Sequence, residues 1–376
     1  MIEGPRAVRK EEFETLRPLT DVVFRPDMMD EYPQLFNEDN LENLRVCVDE
    51  GRCVSHVGMT ERTASLFGCQ VKTCCIGAVS TLPEYRKQGL ASACFDDAAN
   101  KAFHDGVDFM IVSGDRNLYR MRGCLRVGSD TRYTLIADAL PTLEAAGGRS
   151  VTVELMTEAE LPRVMDCYRY EPVRFVRPLD DYGYALKCGR VMNRPAEFLV
   201  IRAQGDFRGY VIVQTPGESS RAGIVEFAGD RHAILAALPE IFRRYRVAEL
   251  GWQVSRHDHL FRALCAESGL QGQQTTTAGT YKLINFPQLM ERMRPRWEEL
   301  LGWREAAKLS FRQDTDEYGF CYGEEEFVTD RDTATRLVFG TVERAEEQAL
   351  AEAGKVAEVL KAILPLPTLW YGLNYV

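Results

Sequence analysis

The chain reads as an α+β protein of more than one domain, and three observations predict this. Residues 76–79 form a short apolar, β-branched run that meets Pro83 and then gives way to a helical pattern over 90–102. The same order of strand, turn and helix returns after a Pro/Gly/Ala-rich stretch at 139–150, which marks a domain border. A third pattern closes the chain, with short alternating strands between 308 and 328 and a long helix over 345–364. At 376 residues the chain is long for one hydrophobic core, so two or three domains are expected.

Taken in order, residues 6–9 suit a strand and a helix follows from about Glu11. Residues 46–48 and 53–59 suit two strands joined at Asp49, Glu50 and Gly51, and 67–79 continues the meander. Gly77 inside the last strand predicts a bulge, or a close approach to the backbone by something else. After Pro83, the segment Arg86, Lys87, Gln88, Gly89, Leu90, Ala91 and Ser92 opens the helix. Leu90, Cys94, Ala98 and Ala102 then share one face at three- and four-residue spacing, while Asp96, Asp97, Asn100 and Lys101 take the other.

This loop is suited to an anion. A helix start leaves backbone N–H groups unpaired and carries partial positive charge. Gly89 has no Cβ to hold a ligand away, and Arg86 and Lys87 add charge, so a pyrophosphate fits. An R-x-x-G-x-A string alone recurs by chance and reads first as a basic turn capping a helix. Context gives it weight. It follows a strand, opens a helix, and is succeeded by an apolar strand at 107–112 and by Leu118-Tyr119 with Gly123-Cys124 four residues on.

That order resembles the GNAT superfamily of acetyl-CoA-dependent N-acetyltransferases. Arg86, Gly89 and Ala91 match the family's Q/R-x-x-G-x-G/A pyrophosphate loop, and Leu118, Tyr119, Gly123 and Cys124 match its catalytic-tyrosine segment. The match covers about residues 40–135. One departure is clear: Val112 and Ser113 stand where many members carry an asparagine, and Asn117 is too close to Tyr119 to take over that role. The resemblance implies an acetyl-CoA site formed by Ala78, Val79, Ser80 and Thr81 along the strand and by residues 86–92 in the loop.

Composition narrows the partners. A net charge of −10 argues against a nucleic-acid surface, and no apolar run reaches membrane-spanning length. Eleven cysteines without C-x-x-C spacing, and with no signal peptide, predict reduced thiols and a cytoplasmic protein. The five histidines show no metal spacing, and His257 and His259 read as a solvated helix start.

A hairpin over 126–136 is expected to complete the first domain, 1–140. Residues 150–283 repeat the fold with strands at 151–155, 198–202, 209–213, 223–227 and 249–254, and helices at 158–168, 234–245 and 257–267. Where a second pyrophosphate loop would stand, Asp230 caps the helix with its own negative charge and repels phosphate, so this half is degenerate. Residues 284–376 form a small domain with an apolar patch at 337–339. Two GNAT-like folds followed by such a domain resemble the enhanced intracellular survival acetyltransferases, whose third domain is sterol-carrier-like. That resemblance also implies a homo-oligomer.

The last residues include Trp370, Tyr371, Leu373, Tyr375 and Val376, too apolar to leave in water cheaply, so a buried tail is expected. It reads either as an anchor or, as the resemblance implies, as the carrier of a catalytic carboxylate on Val376. The expected reaction is direct attack of a primary amine on acetyl-CoA. A backbone N–H near Ala78 or Val79 polarises the thioester, Tyr119 protonates the leaving thiolate, and Val376 is the first candidate base, His56 the second and Glu84 the third. Two other classes stay open: a non-catalytic acyl-CoA or lipid binder, and an assembly protein that keeps the loop for structure. The amine acceptor is not legible.

Overall fold

The computed structural model describes residues 1–147, 150–217, 220–351 and 353–376. The chain forms two compact units, Met1–Val127 with Ala278–Leu366 and Asn374–Val376, and Gly128–Thr277 with Pro367–Leu373. These units do not follow sequence borders at 140 and 283.

The first unit is built on a mixed sheet. Its strands β1 (Glu3–Ala7), β2 (Leu44–Asp49), β3 (Arg52–Leu66), β4 (Cys69–Thr81) and β5 (Phe109–Val112) lie in chain order, with Thr280–Leu283 beyond β5. The β3–β4 hairpin turns at Phe67 and Gly68, both at positive φ, as a tight two-residue hairpin requires. β4 and β5 run parallel, bonded from Thr73–Phe109 to Ile76–Val112. The helix Leu90–His104 makes the crossover between them and buries Cys94, Phe95, Ala98 and Ala102, the face its spacing predicts.

In the same unit, Leu309–Asp314, Glu317–Tyr322 and Glu325–Asp330 form a small antiparallel sheet. The Phe286 ring packs 5.0 Å from Phe320 and 5.4 Å from Tyr318. The apolar patch at 337–339 is the end of a helix, Arg331–Phe339, capped by Asp330, whose carboxylate accepts from Asp332 and Thr333 N–H. Phe339 closes on Phe109 and Tyr281 at 5.2 and 5.1 Å. The helix expected over 345–364 is two, Ala345–Leu350 and Gly354–Ile363. Gly354 sits at φ +54, outside the helical region, and so breaks the run. Glu352 lies outside the described residues.

The second unit repeats the plan. Its sheet runs Gly272–Thr275, Asp130–Leu135, Glu249–Val254, Arg221–Gly229, Asp206–Gln214, Arg194–Ala203, Thr152–Leu155. Again one central pair is parallel, Arg221–Ile224 against Glu249–Trp252 by register. The crossover helix Arg231–Tyr245 buries Ile234, Leu238 and Ile241 against it.

Two local expectations fail here. No hairpin forms over 126–136; Asp130–Leu135 is a single strand paired on both edges, with Thr131, Tyr133 and Leu135 buried and Arg132 and Thr134 exposed. Its alternation marks a strand but says nothing about the partner. The Pro/Gly/Ala-rich border is largely helical, Leu140–Gly147, with Gly148 and Arg149 outside the described residues. Among the described residues no helix is long and apolar enough to cross a membrane.

Candidate active site

The site in the first unit begins with a bulge. Opposite β3, the register runs His56 with Ser80 and then Gly58 with Gly77, so Ala78 and Val79 face Val57 alone. Ala78 takes φ +50, a conformation a non-glycine residue adopts only when its surroundings hold it there. His56 helps to hold it. Its Nδ1–H donates to the Ala78 carbonyl at 3.0 Å, and its ring lies 5.7 Å from Phe36.

His56 is completely buried, and burial pulls its pKa down to about 4. The ring is therefore neutral at pH 7 and serves the bulge as a donor. A pH test follows. The unfolded chain, with a histidine near its ordinary 6.5, takes up the proton first as pH falls. Stability is thus lost between about 6.5 and 4. In His56→Asn, which keeps a donor near the same place, the urea midpoint is expected to fall less over that window. Equal slopes would remove His56 as the source.

Gly77 precedes the bulge, and a Cβ built there would lie 2.1 Å from the carbonyl carbon and oxygen of Val376. The close backbone approach that Gly77 predicts is made by the end of the tail. Val376 is 3% exposed. The Tyr375 carbonyl accepts from Gln34 Nε2 at 3.2 Å, and its ring lies 6.4 Å from Tyr32.

Past the bulge, β4 ends at Thr81 and a single turn, Pro83–Tyr85, leads into the loop. Lys87 and Gly89 both take positive φ, and Gly89 is the residue before the helix, with open space where a Cβ would stand. A pocket of about 570 Å³ runs along this edge. Val79, Ser80, Thr81, Arg86, Lys87, Gly89, Leu90, Ala91 and Ser92 line it; Ala78 and Gln88 do not. Glu84 is also outside the wall and forms an exposed ion pair with Arg52 at 2.7 Å.

Sequence reasoning missed Val23, Phe24, Tyr85, Arg116 and Leu118 in this wall. Arg116 could have been suspected as a cation just before Leu118-Tyr119. Phe24 could not, because it directly follows the helix Leu16–Val23 and its distance in sequence hides the contact.

Tyr119 lies on the short helix Asn117–Arg120 that follows β5. It is 4% exposed, packed against Phe95 with ring centroids 5.7 Å apart. Gly114 leaves the room it needs, since a Cβ there would fall 2.9 Å from the Tyr119 ring. Burial pushes the phenol above its ordinary value; Arg116 opposes this, and Cys124 and Tyr375 add to it.

A mixed sheet with one splayed parallel pair, a bulge before the splay, and a helix start presenting N–H groups beside three cations can hold an acylated nucleotide carrier. Comparison with known families agrees: residues 5–125 match the model described as the acetyltransferase (GNAT) domain. The first unit carries a GNAT acetyltransferase domain. The protein is accordingly an acyltransferase. None of the curated proteins matches its sequence.

The whole-chain fold has solved counterparts. A conserved protein of unknown function from Enterococcus faecalis, described as a probable N-acyltransferase, is 16% identical with a TM-score of 0.68, over 100% of this chain and 99% of that one. A GCN5-related N-acetyltransferase from Anabaena variabilis is 14% identical with a TM-score of 0.67, over 98% and 99%. Eis1 from Mycobacterium abscessus is 14% identical with a TM-score of 0.62, over 96% of each chain. These likenesses concern the fold: tandem GNAT-like sheets with a further sheet-and-helix region.

Proposed function

We propose that the protein transfers an acetyl group from acetyl-CoA to a primary amine, with one acetyl-CoA bound per chain in the first unit. The observation that carries this reading is the single pocket joining the end of β4, the loop and the helix start at Leu90. The pyrophosphate rests on the N–H groups at the helix start with Arg86 and Lys87 beside it, and the pantetheine arm runs along the β4 edge. A backbone N–H at the bulge polarises the thioester carbonyl.

The amine nitrogen attacks that carbonyl, the carbon–sulfur bond breaks, and CoA leaves as a thiolate. An alkylammonium must lose a proton before it can attack. The Val376 carboxylate is the base in this reading, and Tyr119 returns a proton to the thiolate. Among the three candidate bases, Val376 is favoured because its carbonyl group lies against Gly77 at the bulge. None of the three lines the pocket wall, but His56 is held neutral with Nδ1–H on Ala78, and Glu84 is exposed and paired with Arg52. The sterol-carrier-like reading of the last region remains a fold analogy without a catalytic part.

The second unit supports a stoichiometry of one. Asp230 accepts from His232 N–H at 2.9 Å and Ala233 N–H at 3.4 Å, so its own carboxylate fills the helix-start anion site. Calorimetry with acetyl-CoA is expected to give one site, and two equivalent sites would overturn this. Gly89→Trp is expected to abolish binding, because the indole occupies the open space and the backbone there sits at φ +80. Release of free CoA with a panel of amines tests the reaction itself. Binding without release with any amine would favour the non-catalytic acyl-CoA binder.

A further inference from the structure

Each unit has a parallel strand pair bonded at one end only. In the second unit the bonded register stops at Ile224 with Trp252, while the strand Arg221–Gly229 runs on. In the gap beyond Ile224 lies a cavity of about 410 Å³, formed wholly by second-unit residues. Its apolar wall includes Ile224, Val225, Phe227, Leu260, Leu369 and Trp370. Nothing in the reaction above uses it.

We infer that this cavity is a second ligand site, for a neutral small molecule bearing an aromatic ring. Its volume falls in the range of small-molecule sites, about 300–1,000 Å³. Phosphate carriers are excluded, because Asp230 already occupies the neighbouring helix start.

The charged groups settle the ligand's charge. The Arg231 guanidinium lies between Glu171 at 2.8 Å and Asp258 at 2.7 Å, and Glu226 is held by Arg177 at 2.9 and 3.0 Å. With Arg174 also on the wall, three carboxylates face three arginines, Arg177 included. A charged ligand would therefore bring an unmatched charge into a mostly apolar space, at a desolvation cost with no compensating partner. The remaining polar side chains of the wall include Gln253, Ser255, His257 and His259. Gln253 gives its N–H to Asp130 at 2.8 Å, and the Ser255 oxygen accepts from His257 N–H at 3.3 Å, so the Gln253 carbonyl oxygen can accept from a ligand hydroxyl and the Ser255 O–H can donate to it.

The aromatic preference comes from the walls. Trp370 Nε1–H donates to the Val225 carbonyl, which sets the indole plane as a rigid wall, and Phe227 lies under the Arg231 guanidinium at 5.1 Å. Flat rings offer contact area at low entropic cost and pack best against other rings.

The test uses the full chain with saturating CoA present, so that the first unit's pocket is filled. Three probes of one shape are titrated by calorimetry: naphthalenemethanol, naphthoate and naphthylmethylamine. Naphthalenemethanol is expected to bind at one site, with both charged analogues at least about tenfold weaker. Ser255→Trp, which fills the cavity, should weaken the alcohol by about tenfold or more while acetyl-CoA binding is kept. Leu260→Trp, at an exposed wall position, should do the same and covers the case in which the first variant does not fold. Binding of a charged analogue as tight as the alcohol, no binding of any probe, or unchanged binding in folded variants would overturn the proposal.

Discussion

Tyr119→Phe is expected to lower kcat by about two to four orders of magnitude while acetyl-CoA affinity stays nearly constant, the range of general acid catalysis. The substitution removes one hydroxyl and keeps the ring against Phe95 and the space provided by Gly114, so the fold loses little. Burial raises the phenol's pKa, so it stays protonated through neutral pH and is available to a leaving thiolate. Steady-state thiol release gives kcat, and calorimetry gives the affinity. If kcat is unchanged, Tyr119 is a packing residue and the thiolate departs without it.

The second large effect concerns the tail. Converting the Val376 carboxylate to an amide by semisynthesis keeps the buried side chain and removes the charge. If that carboxylate is the base, kcat should fall by about two orders of magnitude or more with acetyl-CoA still bound. A geometric partner to this experiment is Gly77→Ala. The added methyl would meet Val376 at 2.1 Å, so the strand or the tail end must move, and activity should fall with the helix-start loop untouched. The anchor reading predicts otherwise: the amide works normally, and only removal of residues 370–376 hurts, through stability. Full activity of the amidated protein across pH would end the carboxylate reading.

Much of the first unit was legible locally. The loop at 86–92 could be read because its shape depends on neighbours in sequence: a glycine before a helix, cations beside it, and a strand that stops before Pro83. Gly77 was legible for the same reason, as a glycine in an apolar strand, although what approaches it was not. The candidate base was readable only as an apolar ending, since burial of Val376 against β4 joins residues about 300 apart in sequence.

By itself, then, the sequence determined the strand–loop–helix units, the glycine-opened helix start beside two cations, the Asp230 cap at its second-unit counterpart, and the burial of the tail. These follow from backbone chemistry and from the periodicity of apolar residues within a few turns. Only the tertiary structure decided which strands pair. Asp130–Leu135 joins the second sheet and Thr280–Leu283 the first, because an alternating strand buries its face equally well in either, and the choice rests on non-local pairing. It also decided the protonation of His56. A lone strand histidine can be base or scaffold, and complete burial with a carbonyl on Nδ1 made this one a neutral donor. The second unit's cavity belongs to the same class, since a gap between strands has no residue signature and exists only where two paired strands part.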